Sequence, residues 1–133
     1  MNRDRGLVWD AVLFHDELEM LDLRLEILDE VVDRFVVVES TVTFSGRAKP
    51  LHFDDHRERF GRWAERIVHV VVADTPEVGG DRWARERFQR DALGRGLGGC
   101  SGSDVVLVSD VDEIPHPDRV ADRRLGRYAQ VET

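Results

Sequence analysis

Asp104-Val105-Val106-Leu107-Val108-Ser109-Asp110-Val111-Asp112-Glu113-Ile114-Pro115 is the stretch that decides the fold. An apolar run this short, bounded by polar residues and rich in β-branched side chains, reads as a buried strand, and Pro115-His116-Pro117 prevents its continuation. Its C-terminal tip carries three carboxylates. Such groups repel one another unless a cation sits among them, and hard divalent ions such as Mg²⁺ or Mn²⁺ take oxygen ligands while keeping positions open for phosphates. The stretch therefore predicts a strand delivering a metal-phosphate site, with Asp110 and Asp112 as its ligands.

Working outward from this strand, Val8 to Phe14 is a first apolar strand ending near His15. Leu18, Leu21, Leu25, Leu28 and Val32 then recur at three- and four-residue steps among acids, which predicts a helix with one buried stripe. Asp16 and Glu17 suit its N-terminal end. Phe35 to Val38 is a second strand, ending at Glu39-Ser40. Thr41 to Leu51 reads as a loop, and Asp54 to Trp63 as a short helix. Ile67 to Ala73 is a third strand, and Pro76, Gly79 and Gly80 break the chain after it. Asp81 is a candidate cap for a helix from Arg82 to about Arg95, with Trp83 or Ala84, Phe88, Ala92 and Leu93 on its inner face. Val105 to Ser109 is the fourth strand, and Asp118 is placed to cap a last helix.

Strands alternating with helices predict an α/β fold whose mostly parallel sheet is covered by helices on both faces. Right-handed crossovers give the strand order 3-2-1-4. Strands one and four are then neighbours where the winding reverses. His15-Asp16-Glu17 and Asp110-Val111-Asp112-Glu113 would border one crevice, the place where ligands of such sheets bind.

Composition narrows the partners. The 133 residues fit one domain, which at this length buries roughly two thirds of its unfolded surface. The formal net charge of -8, with basic residues dispersed among acids, argues against nucleic acid. Cys100 is the single cysteine, so a disulfide framework or cysteine zinc cluster is excluded. No apolar run approaches the roughly 18 residues of a membrane span, and the chain reads as soluble and cytoplasmic. An acidic protein that binds a phosphate ester needs a local positive charge, and a captured divalent ion supplies one.

Spacing separates the acidic motifs that compete for Asp110 and Asp112. A calcium EF-hand loop starting at Asp110 needs Gly sixth and Glu twelfth, where Pro115 and Ala121 stand. A haloacid-dehalogenase-type phosphatase wants Thr or Val where Ile114 stands, on the first strand of its sheet. A polymerase-β-like nucleotidyltransferase wants Gly-Ser well upstream on a helix, whereas Gly102-Ser103 lies too close. The Asp-x-Asp of GT-A glycosyltransferases, just beyond the fourth strand of a nucleotide-binding sheet, fits position and topology. The tripeptide alone still leaves a solvated turn as an equal alternative.

Other blocks carry more weight. Phe14-His15-Asp16-Glu17-Leu18-Glu19-Met20-Leu21, Val38-Glu39-Ser40 with Thr43-Phe44-Ser45-Gly46 and Lys49-Pro50-Leu51, the Trp83 to Arg90 segment with Glu86, Gln89 and Arg90, and Ser109 to Pro115 closely resemble glycosyltransferase family 17 in family order. This is the family of β-1,4-mannosyl-glycoprotein 4-β-N-acetylglucosaminyltransferases, which add bisecting N-acetylglucosamine. The resemblance implies a GT-A-type, Rossmann-like nucleotide-sugar-binding domain and a Mn²⁺-type ion (or Mg²⁺). It implies inverting transfer of N-acetylglucosamine from a UDP-sugar donor, UDP-GlcNAc, to a mannose-containing glycan acceptor. Family members continue well past the position of Thr133, so the resemblance implies a donor-binding part whose catalytic base and acceptor half lie outside this sequence. Two other readings stay open: a non-catalytic module binding UDP-sugar and metal, and a metal-dependent phosphatase or nucleotidyltransferase.

Candidate roles follow. Asp112 is the first choice for direct metal ligation, and Asp110 for metal, water or ribose contact. Glu113 orients the metal's water shell or caps the turn. Glu39, at the tip of strand two, accepts from ribose or uracil or else anchors a loop. Glu17 and Asp16 flank the crevice, although acids in a first helical turn need no function. Lys49, the only lysine, with Arg47 is a candidate for the diphosphate. So is Arg90, whose spacing from Glu86 is also that of a helix-surface ion pair. His15, His69 and His116 have no metal-binding spacing and are read as structural; Trp83, Phe88, Phe60 and Trp63 are read as core.

Overall fold

The computed structural model describes residues 6–124. Four strands, β1 (Val8–Leu13), β2 (Arg34–Ser40), β3 (Ile67–Val72) and β4 (Val105–Val108), form one sheet in the order β3-β2-β1-β4. All three pairings are parallel, with Ala11 opposite Val36 on one side and Val108 on the other. The expected topology is present, and β1 and β4 are neighbours.

The strands are near-continuous apolar runs because both faces of β1 and β2 are covered. On the first face Val8, Val12, Phe35 and Val37 pack under α1 (Leu18–Leu28), whose Leu21, Leu25 and Leu28 point inward. The single turn α2 (His52–Asp55) and a 3-10 segment (Arg57–Arg66) complete this layer with Phe53, Phe60 and Trp63. Val120 of α4 (Pro117–Arg124) closes it beneath β4. On the second face Trp9, Ala11, Val36 and Val38 meet Ala92 and Leu93, in the 3-10 turn (Ala92–Gly96) that ends α3 (Arg82–Asp91). Gly96 permits that contact, because a methyl there would overlap the side chain of Val36.

The predicted helix over residues 54–63 is instead α2 followed by 3-10 turns, kinked at Phe60. Asp29 accepts from the Trp63 indole at 3.0 Å and from Arg66 at 2.6 Å, so side chains tie the segment to the C-terminal end of α1. The helix expected from Arg82 to Arg95 is α-helical only to Asp91. Asp81 caps it, accepting from Ala84 N at 3.0 Å. Its inner face differs from expectation: Trp83 is 65% exposed, while Arg85 and Gln89 are buried. The Arg85 guanidinium donates to the carbonyls of Phe44 and Gly79, tying the Thr41–Leu51 loop to α3. Gly46, at φ +89, lies so close that a Cβ would fall 2.7 Å from the guanidinium. Asp118 is not a cap, since Pro117 opens α4, where its missing N–H leaves no bond unmade.

Among the described residues the second face of β4 is largely open: Val106 is 38% and Val108 59% exposed there, and β4 is one of the sheet's two outer strands. Asp104 fixes the start of this strand to β1, accepting from Leu7 N at 2.8 Å, the Trp9 indole at 2.9 Å and Ser101 N at 3.0 Å. Burial raises the Asp104 pKa, but these donors outweigh it and hold the carboxyl down at about 2.

Candidate metal and phosphate site

The C-terminal ends of β1 and β4 open side by side, and the acidic segment after β4 is a closed turn. Glu113 N donates to Asp110 O at 3.0 Å, and the Glu113 carboxylate accepts from Asp110 N at 3.1 Å. Ser109 Oγ donates to Glu113 O at 2.9 Å. Val111 is buried in the first-face core, whereas Asp112 is exposed and Asp110 half-exposed. The turn thus sinks its one apolar side chain and lifts two carboxylates toward solvent. Glu113, one of the donor-site candidates, spends its carboxylate on the turn itself.

Beneath the turn lies a residue that hydrophobic periodicity passes over. Arg24 of α1 is 0% exposed. Its Nε and Nη2 form a fork on Asp10 of β1 at 2.8 and 2.7 Å. Nη2 also donates to Ser109 Oγ at 2.7 Å, and Nη1 donates to the carbonyls of Asp110, Val111 and Glu113 at 2.8, 3.2 and 2.9 Å. All five N–H groups of the guanidinium are taken. The sequence signal was an acid inside the apolar strand VWDAVL and an arginine inside the leucine stripe of α1.

Arg90 reaches the turn from α3. Its Nη1 lies 3.0 Å from Asp110 Oδ1 and its Nε 2.9 Å from Glu86. Burial works to lower the Arg90 pKa, but the bonds to Glu86 and Asp110 outweigh it and raise it. One residue before Arg90, buried Gln89 donates to Val42 O at 3.1 Å, and its Oε1 has no hydrogen-bond partner among the described residues.

Across the crevice, the Glu17 carboxylate accepts from His15 N and Asp16 N, each at 2.9 Å, and so shapes the β1–α1 connection. His15 stands edge-on to Phe44, centroids 4.9 Å apart. Burial lowers the His15 pKa, with the Lys49 and Arg90 charges acting in the same direction against Glu17 and Asp16. Lys49 Nζ donates to Ser40 O at 3.1 Å and Pro50 O at 2.9 Å, and burial lowers its pKa against the pull of Glu39, Asp16 and Glu17. Glu17, Lys49 and Arg90 thus all act on the charge of His15, and Arg90 joins this group to Asp110.

Glu39 does not join them. It is 0% exposed, and its oxygens accept from Phe53 N and Asp54 N, both at 3.0 Å, and from His69 Nε2 at 2.7 Å. Burial raises its pKa, and the His69 and backbone bonds more than offset this, so the pKa lies below the ordinary carboxylate value. Arg57 donates to His69 Nδ1 at 2.7 Å, which assigns the ring proton to Nε2. Glu39 is a loop anchor for α2, with no face turned to a ligand.

The donor set suits a hard cation that keeps an open shell. Among the described residues no three His, Cys, Asp or Glu side chains converge into a ready-made cage. A cation taken by Asp110 and Asp112 would complete its coordination with water and phosphate oxygens, the habit of Mg²⁺ and of Mn²⁺ in phosphate sites.

Residues 1–125 match the family model described as Glycosyltransferase family 17. The β-1,4-mannosyl-glycoprotein 4-β-N-acetylglucosaminyltransferases of Rattus norvegicus and Homo sapiens are each 32% identical to the chain over 121 residues, and that of Mus musculus 31%. These alignments cover 85% of this chain but 22% of each relative, so the chain spans about a fifth of the length of the curated relatives it matches. No solved structure matches.

Proposed function

The chain belongs to glycosyltransferase family 17, and on that premise we propose that it binds UDP-N-acetylglucosamine and a divalent cation in the crevice between the ends of β1 and β4. The sugar passes, with inversion, to a mannose hydroxyl of a glycan acceptor. The observation that carries this reading is the lifted pair Asp110 and Asp112 beside Arg90, at the point where the sheet's winding reverses.

In this reading Asp112 and Asp110 hold the cation, Mn²⁺ or Mg²⁺. When bound it supplies Lewis-acid stabilisation of the negative charge that grows on the departing diphosphate. Arg90 pairs with a diphosphate oxygen, exchanging one acidic partner for another, and Lys49 adds a second positive charge from the loop opposite. Glu17 and Glu113 act one step back by fixing the two connections that frame the crevice. His15 and Phe44 form a partly apolar wall on which the nucleotide or sugar rests.

A second reading is a non-catalytic module that binds metal and UDP-sugar through the same acids. The two separate on UDP release. Saturating Mn²⁺ with UDP-N-acetylglucosamine is expected to raise Tm by several degrees, and Asp112→Ala to abolish the metal-dependent part while leaving the far-UV circular dichroism unchanged. Wild-type Tm that stays put under both ligands would refute donor binding. UDP released in the presence of a mannose-terminated acceptor, and not in its absence, marks the enzyme; donor binding without release marks the module. Phosphate release from a generic ester would instead point to a phosphatase.

A further inference from the structure

We infer that Arg24 and Asp10 form a positioning pair that sets Asp110 and Asp112 in place for the cation. The inference rests on reading those two acids as the metal pair. A buried ion pair is poor evidence of stabilisation, since apolar side chains of similar volume commonly serve a core as well or better. The reason for one here must lie in something a leucine cannot do. The Arg24 guanidinium draws three carbonyl oxygens, from Asp110, Val111 and Glu113, toward a single nitrogen, Nη1. With those carbonyls turned inward and Val111 sunk into the core, the side chains of Asp110 and Asp112 are left on the solvent side. Ser109 links the same guanidinium to the far end of the turn, accepting from Nη2 and donating to Glu113 O. Asp10 supplies the countercharge and, through its two-pronged bond, fixes the rotation of the fork. Arg24 thus couples β1, α1 and the acidic turn without touching the ligand.

Two variants test this. Asp10→Val with Arg24→Met replaces the pair by apolar side chains, and Ser109→Ala removes one link at a partly exposed position. In hydrogen–deuterium exchange, the amides of Asp110 and Glu113 are expected to open at least tenfold faster in the double variant while those of β1 and β2 keep their protection. Calorimetric titration of Mn²⁺ in the presence of UDP should show at least tenfold weaker binding. Ser109→Ala should move both readouts in the same direction by two- to threefold. A folded double variant with wild-type exchange in the turn and wild-type Mn²⁺ affinity would overturn the inference. Should the double variant not fold, unchanged turn exchange in Ser109→Ala overturns it. Wild-type protein that takes up no Mn²⁺ with UDP counts against the metal reading, whereas the exchange rates score the anchor by themselves.

Discussion

In the proposed reading Arg90 is the side chain whose charge partner changes when the diphosphate binds. Its guanidinium now neutralises Asp110, one of the two acids assigned to the cation, so the two roles compete until a diphosphate arrives. Arg90→Ala should therefore strengthen Mn²⁺ binding measured alone by about twofold to fivefold, the scale of a half-exposed ion pair worth roughly 0.5–1 kcal/mol. The same substitution should weaken UDP binding in saturating Mn²⁺ about tenfold. Titration calorimetry checks both arms, and parallel changes in the two affinities would remove Arg90 from the diphosphate. At this scale the sequence was uneven. Asp110, Asp112 and Glu17 drew notice because they follow apolar strands, and Lys49 and Arg90 because they stand in the family-like blocks. Arg24 was not, because a periodicity argument assigns charge to the solvated side of a helix, and only its partner Asp10 on another element makes burial tolerable. Glu39 sits at the expected strand tip, yet the loop that folds over it could not be read from the strand.

Strands were the elements read best, since a parallel sheet covered on both faces needs continuous apolar runs. Helix ends and the Arg57–Arg66 segment were read worst. That stretch is rich in charge, and it is tied to Asp22 of α1, to Asp29 just beyond α1 and to the core through Phe60 and Trp63. The join between β1 and β4 makes a pH prediction. Asp104 has a pKa of about 2 in the folded chain, below the ordinary 3.9 of an unfolded aspartate. Its contribution is fully present above about pH 4 and is lost as pH falls toward 2, because the unfolded chain takes up the proton first. Asp104→Asn should lower stability at pH 7 by about 1–2 kcal/mol, a figure discounted for partial solvent screening. It should also flatten the loss of stability between about pH 4 and 2, as followed by urea unfolding. An equally steep acid limb in the variant would show that other carboxylates carry it.

At the scale of the molecule, strand order 3-2-1-4 was the expectation that mattered most, because it alone brings residues nearly a hundred positions apart to one crevice. Handedness and economy of connection sufficed for it. The covering of the last strand was beyond reach, since Val106 and Val108 read as core residues while the described chain leaves them exposed. A flat valine pair on an unshielded outer strand invites another polypeptide to zip alongside. In the test tube, purified chain should therefore cloud or form larger particles as it is concentrated, and Val108→Lys should delay that onset without altering unfolding. Static light scattering against concentration measures it. Identical curves for the two proteins would mean this seam is not the adhesive one.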